Sequence, residues 1–359
     1  MNIRSVAYLE WAKARPAAAL NLSLSGLARP ALDDLGIDWG SLAINGEHPY
    51  GYPPLLEAIA ARSGVDAGDV VPALGASQGI FSVAAALVGP GDGVLVEKPA
   101  YEPLIAVPRL LGARIGRFER RLEDGYHVDP DGFREALGSG TRLVLLTNPH
   151  NPSGVALSRD EVRVLAEIAG ERGATLIVDE IYLEFQPGEA ARTSFGAAPN
   201  IAVTSSLTKV FGLGGLRCGW ILAGPALGAA IRRLIDHMQV EGVLVGEQIA
   251  ARLFARLDEM KAAARPFIEA NARLLREFMA GQTVLEWAKP SPGIIAFPRL
   301  RGKGDAGGLV HRLFEDKGTL VVPGRFFEEP AHFRIGTGVP KSDLERGLAG
   351  LREILETMA

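Results

Sequence analysis

One lysine sits in unusual company. In TSSLTKVFGLGGLRCGW, Thr204 to Trp220, Lys209 follows Ser206 and Thr208, precedes Gly212, Gly214 and Gly215, and stands eight residues before Arg217. A surface lysine needs none of these neighbours. A buried lysine amine, once deprotonated, attacks a carbonyl and forms a Schiff base. Hydroxyls donate to a bound anion, an arginine clamps an oxyanion as a fork, and glycines let backbone turn tightly beneath a ligand. The run GLGGLR is not a dinucleotide fingerprint, because Arg217 stands where the third glycine belongs and an apolar strand follows.

Three further stretches carry chemistry. TNPHNPSG, Thr147 to Gly154, follows the apolar run RLVLL, and its two Asn-Pro pairs force a rigid turn past a strand end. The Asn151 amide can donate to a ligand oxygen there. LIVDEIY, Leu176 to Tyr182, ends an apolar strand with Asp179, a carboxylate that needs a cationic partner such as a protonated ring nitrogen. Tyr182 places a phenol three residues on. LGASQGIF, Leu74 to Phe81, runs small residues into a helix start, so that Ser77 and the Gln78 N–H can hold a phosphate.

The elements that position these groups alternate. Strand-like runs at Gly93–Val96, Arg114–Phe118, Arg142–Leu146, Ala174–Val178, Ile201–Thr204 and Gly219–Leu222 are separated by helical patterns at Gln78–Val88, Pro103–Leu111, Gly132–Leu137 and Arg159–Glu171. Continuous apolar strands predict a mostly parallel sheet covered by helices on both faces, an α/β fold. Ser158 and Glu161 form a capping box at the start of the last helix. From Pro225 to Ala280 a long helical region follows, then short strands at Gly293–Phe297, Leu320–Val322 and Phe333–Ile335, with helices near Gly307–Asp316 and Ser342–Thr357. We expect an N-terminal segment, 1–44, packed on a smaller α+β domain, 241–359, beside a large ligand-binding domain, 45–240.

Composition excludes several classes. With 38 basic against 42 acidic residues the net charge is −4, which gives no basic footprint for nucleic acid or a membrane surface. The single cysteine, Cys218, builds neither a disulfide framework nor a zinc site. The opening MNIRSVAYLEWAKARP lacks an apolar core of signal-peptide type, so a soluble cytoplasmic protein is expected.

Taken together and in this order, the motifs resemble the fold-type I pyridoxal-phosphate-dependent aminotransferases of class I/II. That family's Asn-Pro-x-Asn-Pro-Ser/Thr-Gly, Asp-x-x-Tyr and Ser-x-Ser/Thr-Lys patterns, with an arginine eight residues after the lysine, are matched by NPHNPSG, DEIY and SLTK with Arg217. GYPPLLEAIA, VEKPAYEP and FRIGTG extend the likeness over most of the chain. The resemblance implies pyridoxal 5'-phosphate as cofactor. Lys209 would carry it as a Schiff base and then shuttle the Cα proton. Asp179 would keep the pyridine nitrogen protonated, Asn151 and Tyr182 would bond the ring hydroxyl, and Tyr101 would stack on the ring. Ala76, Ser77 and Gln78, with Ser206 and Arg217, would hold the phosphate. Arg334 would take the substrate α-carboxylate, and Gly26, in LSLSGL, would lie against the substrate.

The same resemblance implies a homodimer that moves an amino group from an amino acid to a 2-oxo acid. The machinery also serves C–S lyases, racemases and cyclases. A cofactor-sensing regulator is disfavoured, because the residues before Asn45 are few and not basic. The chain departs from the family at Gly46, where a tyrosine often reaches the neighbouring subunit's phosphate, and Tyr50 does not align with it. No arginine aligns with the one that reads a dicarboxylate side chain. His237 and Gln239 are expected on a helix surface, and His150 and Cys218 are read as structural.

Overall fold

A computed structural model of the chain describes residues 3–302 and 304–358; residues 1, 2, 303 and 359 of the expected segments lie outside the described residues. The chain begins with helix α1 (Ala7–Ala14) and strand β1 (Leu20–Asn21). The large sheet is built from β2 (Val70–Ala73), β3 (Gly93–Lys98), β4 (Arg114–Glu119), β5 (Thr141–Thr147), β6 (Thr175–Asp179), β7 (Ile201–Ser206) and β8 (Gly219–Leu222). Around it lie α2 (Pro53–Ser63), α3 (Ala76–Leu87), α4 (Pro103–Leu110), α5 (Pro130–Ala136), α6 (Arg159–Gly170) and α7 (Pro225–Asp236). The strand order is β2-β8-β7-β6-β5-β3-β4, parallel except for β8, which runs antiparallel to both neighbours.

Both faces of the sheet are buried. Val144, Leu146, Leu176 and Val178 enter one core, and their chain neighbours Leu143, Leu145 and Ile177 enter another on the opposite face. This is why the strands read as continuous apolar runs. Strand β2 escapes the apolar pattern, because Pro72 interrupts VVPAL. Its place at the sheet edge explains how the proline is tolerated. At α6 the capping box forms as expected, with the Ser158 and Glu161 side chains bonding each other's backbone N–H.

The region after Pro225 is not one long helix. It breaks after α7 into α8 (Leu244–Phe254) and α9 (Leu257–Ala280). Helix α8 sends Ile249, Ala250 and Leu253 into the large core and is pinned where the Tyr52 N–H donates to Glu247. The chain must therefore turn to reach that core. We propose a domain boundary in α9, later than residue 240.

The remaining elements are β9 (Leu285–Glu286), β10 (Ile295–Ala296), β11 (Arg299–Leu300), α10 (Gly307–Lys317), β12 (Thr319–Leu320), β13 (Val322–Pro323), β14 (Phe333–Gly336) and α11 (Lys341–Glu356). The expected strand Leu320–Val322 is two short strands with different partners: β12 pairs in parallel with β1, and β13 pairs antiparallel with β14. Leu22 packs into the core formed by α9, α10, α11 and β14, so the N-terminal segment is woven into this second body.

Candidate active site

The motifs meet at the carboxyl ends of the parallel strands, where an open α/β sheet binds ligands. Strand register sets the first pair of neighbours: Thr147 lies opposite Asp179, and Asp179 opposite Thr204. A cavity of about 620 Å³ opens there. Asp179, Tyr182, Lys209 and Asn151 line its floor, with Tyr101 beside them. Ala76, Ser77, Ser206 and Arg217 line one end, and Gly26 lies on the opposite wall.

Lys209 follows β7 in a loop held against the N-terminal segment, where the Leu27 N–H donates to the Lys209 carbonyl at 2.9 Å. Its Nζ donates to Ser25 Oγ at 2.9 Å. Burial holds this amine below the ordinary lysine range; Arg334 and Arg15 push the same way, while Tyr8 and Asp179 oppose. A lysine so placed loses its proton readily and becomes a nucleophile.

Asp179 is buried, and among the described residues no cation pairs with it; Thr204 Oγ1 donates to it at 3.2 Å. Burial raises its carboxyl to about 7, despite bonds from Thr204 and the Ile181 N–H that lower it. A buried carboxylate without a countercharge suits a ligand that brings a cation.

The turn at Asn151 is built from within. The Asn151 N–H donates to Thr147 Oγ1 at 2.8 Å, and Thr147 donates its hydroxyl to Glu97 at 2.7 Å. Asn148 bonds the Leu157 N–H and carbonyl, and His150 bridges Ser153 and the Pro99 carbonyl. Asn151 Oδ1 accepts from Arg334 Nη1 at 2.8 Å, which leaves its amide N–H groups for a ligand. Arg334 is fully buried on β14, just behind this wall, and also donates to Tyr8 Oη at 2.9 Å. Among the described residues its Nε has no partner. Tyr182 donates to the Ser25 carbonyl at 3.1 Å.

The phosphate end is a helix start. Gly75 caps α3 with φ 88°, a conformation that favours glycine, and a Cβ there would lie 2.6 Å from the flexible tip of Arg217, which would have to shift. The first N–H groups of α3 find no carbonyl within the helix and point outward. Arg217 spans the gap, donating to the Leu74 and Gly214 carbonyls. The Gln78 side chain turns away: it accepts from the Leu74 N–H and donates to Gln239 at 3.0 Å, and Gln78 does not line the cavity. Gln239 and His237 do not line the cavity, nor does Gly46.

Four contributing residues escape sequence reading: Tyr8, Arg15, Ser25 and Glu97. Three of them come from the N-terminal segment, where no local pattern marks them. Glu97 closes the apolar strand VLVE as a charge, the same signal that marks Asp179. It is fully buried, accepts from Thr147 N–H and Oγ1, and pairs with Arg120 at 2.9 Å. Burial raises its carboxyl while Arg120 and Thr147 pull it down. A Glu97→Ala variant would leave the buried Arg120 charge unpaired, and we expect about 3–5 kcal/mol of stability to be lost. The shift in the urea midpoint at constant slope measures it.

The match to known proteins decides the family. A family model described as aminotransferase class I and II matches residues 43–351. The chain belongs to that family. Over 310 residues the aminotransferase-family chain is 32% identical to capreomycidine synthase of Streptomyces vinaceus, covering 85% of this chain and 79% of the relative. It is 31% identical over 291 residues to arginine–pyruvate transaminase AruH of Pseudomonas aeruginosa, covering 79% and 74%. Its fold superposes on the crystal structure of the pyridoxal-phosphate-dependent cyclase OrfR with a TM-score of 0.89 at 28% identity, over 100% of this chain and 98% of the other.

The family's cofactor is pyridoxal phosphate. The residues present fit it: a buried amine of lowered basicity, an uncompensated buried carboxylate and a helix start beside an arginine surround one cavity.

Proposed function

We propose that the protein transfers an amino group from an L-amino acid to a 2-oxo acid. The observation that carries this reading is the meeting of Lys209, Asp179 and the Asn151–Arg334 pair around one cavity, drawn from three strand ends and β14. The family match and the likeness to a named transaminase support it.

Each role follows from the chemistry of its position. Pyridoxal phosphate, when bound, supplies an electron sink for the substrate Cα carbanion. Lys209 would hold the cofactor covalently and carry the Cα proton. Asp179 would pair with the ring nitrogen, and Asn151 and Tyr182 would bond the ring oxygen. Tyr101 would cover the ring. Ser77 and Ser206, Arg217 and the Ala76 and Gln78 N–H groups would hold the phosphate. Arg334, presented by Tyr8 and Asn151, takes the α-carboxylate, and the Gly26 backbone closes over the substrate. A cyclase, lyase or racemase on the same site is the second reading, favoured by the likeness to capreomycidine synthase and to the cyclase OrfR.

A homodimer in the cytoplasm completes the proposal. Trp39, Ile44, Tyr50, Met238, Val240 and Val243 are exposed apolar side chains on two segments joined where His48 meets the Gly242 carbonyl. No described helix is long and apolar enough to cross a membrane.

The test is a single-turnover panel of amino acids on the holoenzyme. A donor that yields its 2-oxo acid with one equivalent of pyridoxamine phosphate is the expected result. Release of ammonia, a ring-closed product or the opposite enantiomer in its place would move the assignment to the second reading.

A further inference from the structure

The charges around the cavity are lopsided. Among the described residues Asp179 is the only carboxylate that lines it, while Arg15, Arg29, Lys209 and Arg217 are its cations. Asp179, Lys209 and Arg217 have partners or roles already. Arg29 is exposed at the rim. Arg15 is half-buried and, among the described residues, has neither a hydrogen-bond partner nor a carboxylate within 4.0 Å.

Arg15 is held by a fixed helix rather than a loose tail. Helix α1 begins against the Glu102 carboxylate, which accepts from the Ala7 N–H at 3.0 Å and the Tyr8 N–H at 2.6 Å. In the first turn, Tyr8 is tied to Arg334 and packs against Tyr101 at 5.8 Å between ring centres. Tyr8, Ala12 and Arg15 follow at helical spacing and all line the cavity. Arg15 therefore stands just past the C-terminus of α1, about two turns from Tyr8, the residue that touches Arg334. Arg15 lines the same cavity as the Lys209 amine and Tyr8, and its positive charge pushes both groups downward.

We propose that Arg15 reads a second carboxylate on the substrate, so that the protein takes dicarboxylic amino acids and their 2-oxo acids. Arg334 would hold the α-carboxylate and Arg15 the distal one, which a planar guanidinium binds as a fork. A cationic side chain, such as that of arginine, would meet no free carboxylate in the cavity and would face Arg15. This inference rests on the proposed function only in that Arg334 binds the α-carboxylate.

Calorimetric titration of the holoenzyme with glutarate and with butyrate tests it without turnover. Both acids can occupy Arg334, and only glutarate carries a second charge. Wild type is expected to bind glutarate about 10- to 100-fold tighter, the range of a charge-assisted hydrogen-bonded pair. Arg15→Gln should erase that preference and Arg15→Lys should keep part of it, with thermal midpoints near wild type. Equal binding of the two acids by wild type, binding of neither, or a preference that survives Arg15→Gln overturns the proposal. A protein that transaminates nothing but shows the Arg15-dependent preference loses the proposed reaction and keeps this specificity. A protein that transaminates arginine and shows no preference keeps the reaction and loses it.

Discussion

A Lys209→Ala variant is expected to lose turnover by about 10⁴-fold, the upper range for a positioned acid–base group, because the same amine is also proposed to attach the cofactor. The fold should survive. Among the described residues the Nζ makes one bond, to Ser25, and its burial penalises the charged form, so its removal relieves a cost. The measurement is paired: single-turnover rate for the best donor, and the visible absorbance of protein dialysed after mixing with pyridoxal phosphate. On sodium borohydride reduction wild type should lose the visible band and keep the reduced cofactor's near-ultraviolet band after denaturation, and the variant should keep neither. A variant that transaminates near the wild-type rate would remove Lys209 from the mechanism.

The second large effect is at Asp179. Asp179→Asn keeps the shape and removes the charge proposed to meet the ring nitrogen. Preorganised electrostatic groups of this kind are worth about 10²- to 10³-fold in rate, and that is the expected loss. The same residue predicts a pH effect in the cofactor-free protein. Its carboxyl is raised by burial from 3.8 to about 7 in the folded state. The folded protein therefore holds the proton more tightly than the unfolded chain. The resulting stability is complete below about pH 4 and is lost as pH rises toward 7. The thermal midpoint of the cofactor-free protein should fall as pH rises from about 5 to 7, and Asp179→Asn should flatten part of that fall. Glu180, raised by burial to about 7, contributes in the same direction. A variant with the wild-type slope would mean that Asp179 is already ionised when buried. Saturating pyridoxal phosphate should flatten the slope too, because a nearby cation favours the carboxylate.

These effects share one design. Asp179 and Lys209 are held by strand register and by loops tied to the N-terminal segment, and Asn151 is held by the Thr147–Glu97–Arg120 chain of bonds. Rigid supports of this kind fix the reacting groups before substrate arrives. The cost of Glu97→Ala would accordingly appear in stability first and in rate through Asn151.

The sequence by itself determined the α/β class, the family and most of the cavity floor. It could do so because each of those residues is marked locally: a charge ending an apolar strand at Asp179, paired Asn-Pro turns at Asn151, hydroxyls and glycines around Lys209. Arg334 was legible because Phe-Arg-Ile-Gly puts a charge inside an apolar strand that tertiary structure then buries. Tertiary structure alone decided the rest. It split the region after Pro225 into three helices, because Ile249, Ala250 and Leu253 had to reach the large core. It turned the Gln78 side chain away toward Gln239, a partner 161 residues distant. It carried α1 across the chain to Glu102 and Arg334, so that Tyr8 and Arg15 reached the site over 94 and 326 residues of separation from those anchors. Periodicity and local motifs report neighbours within a turn or a strand; a side chain whose partner lies hundreds of residues away is placed by packing and by hydrogen bonds between elements, and only the folded chain shows it.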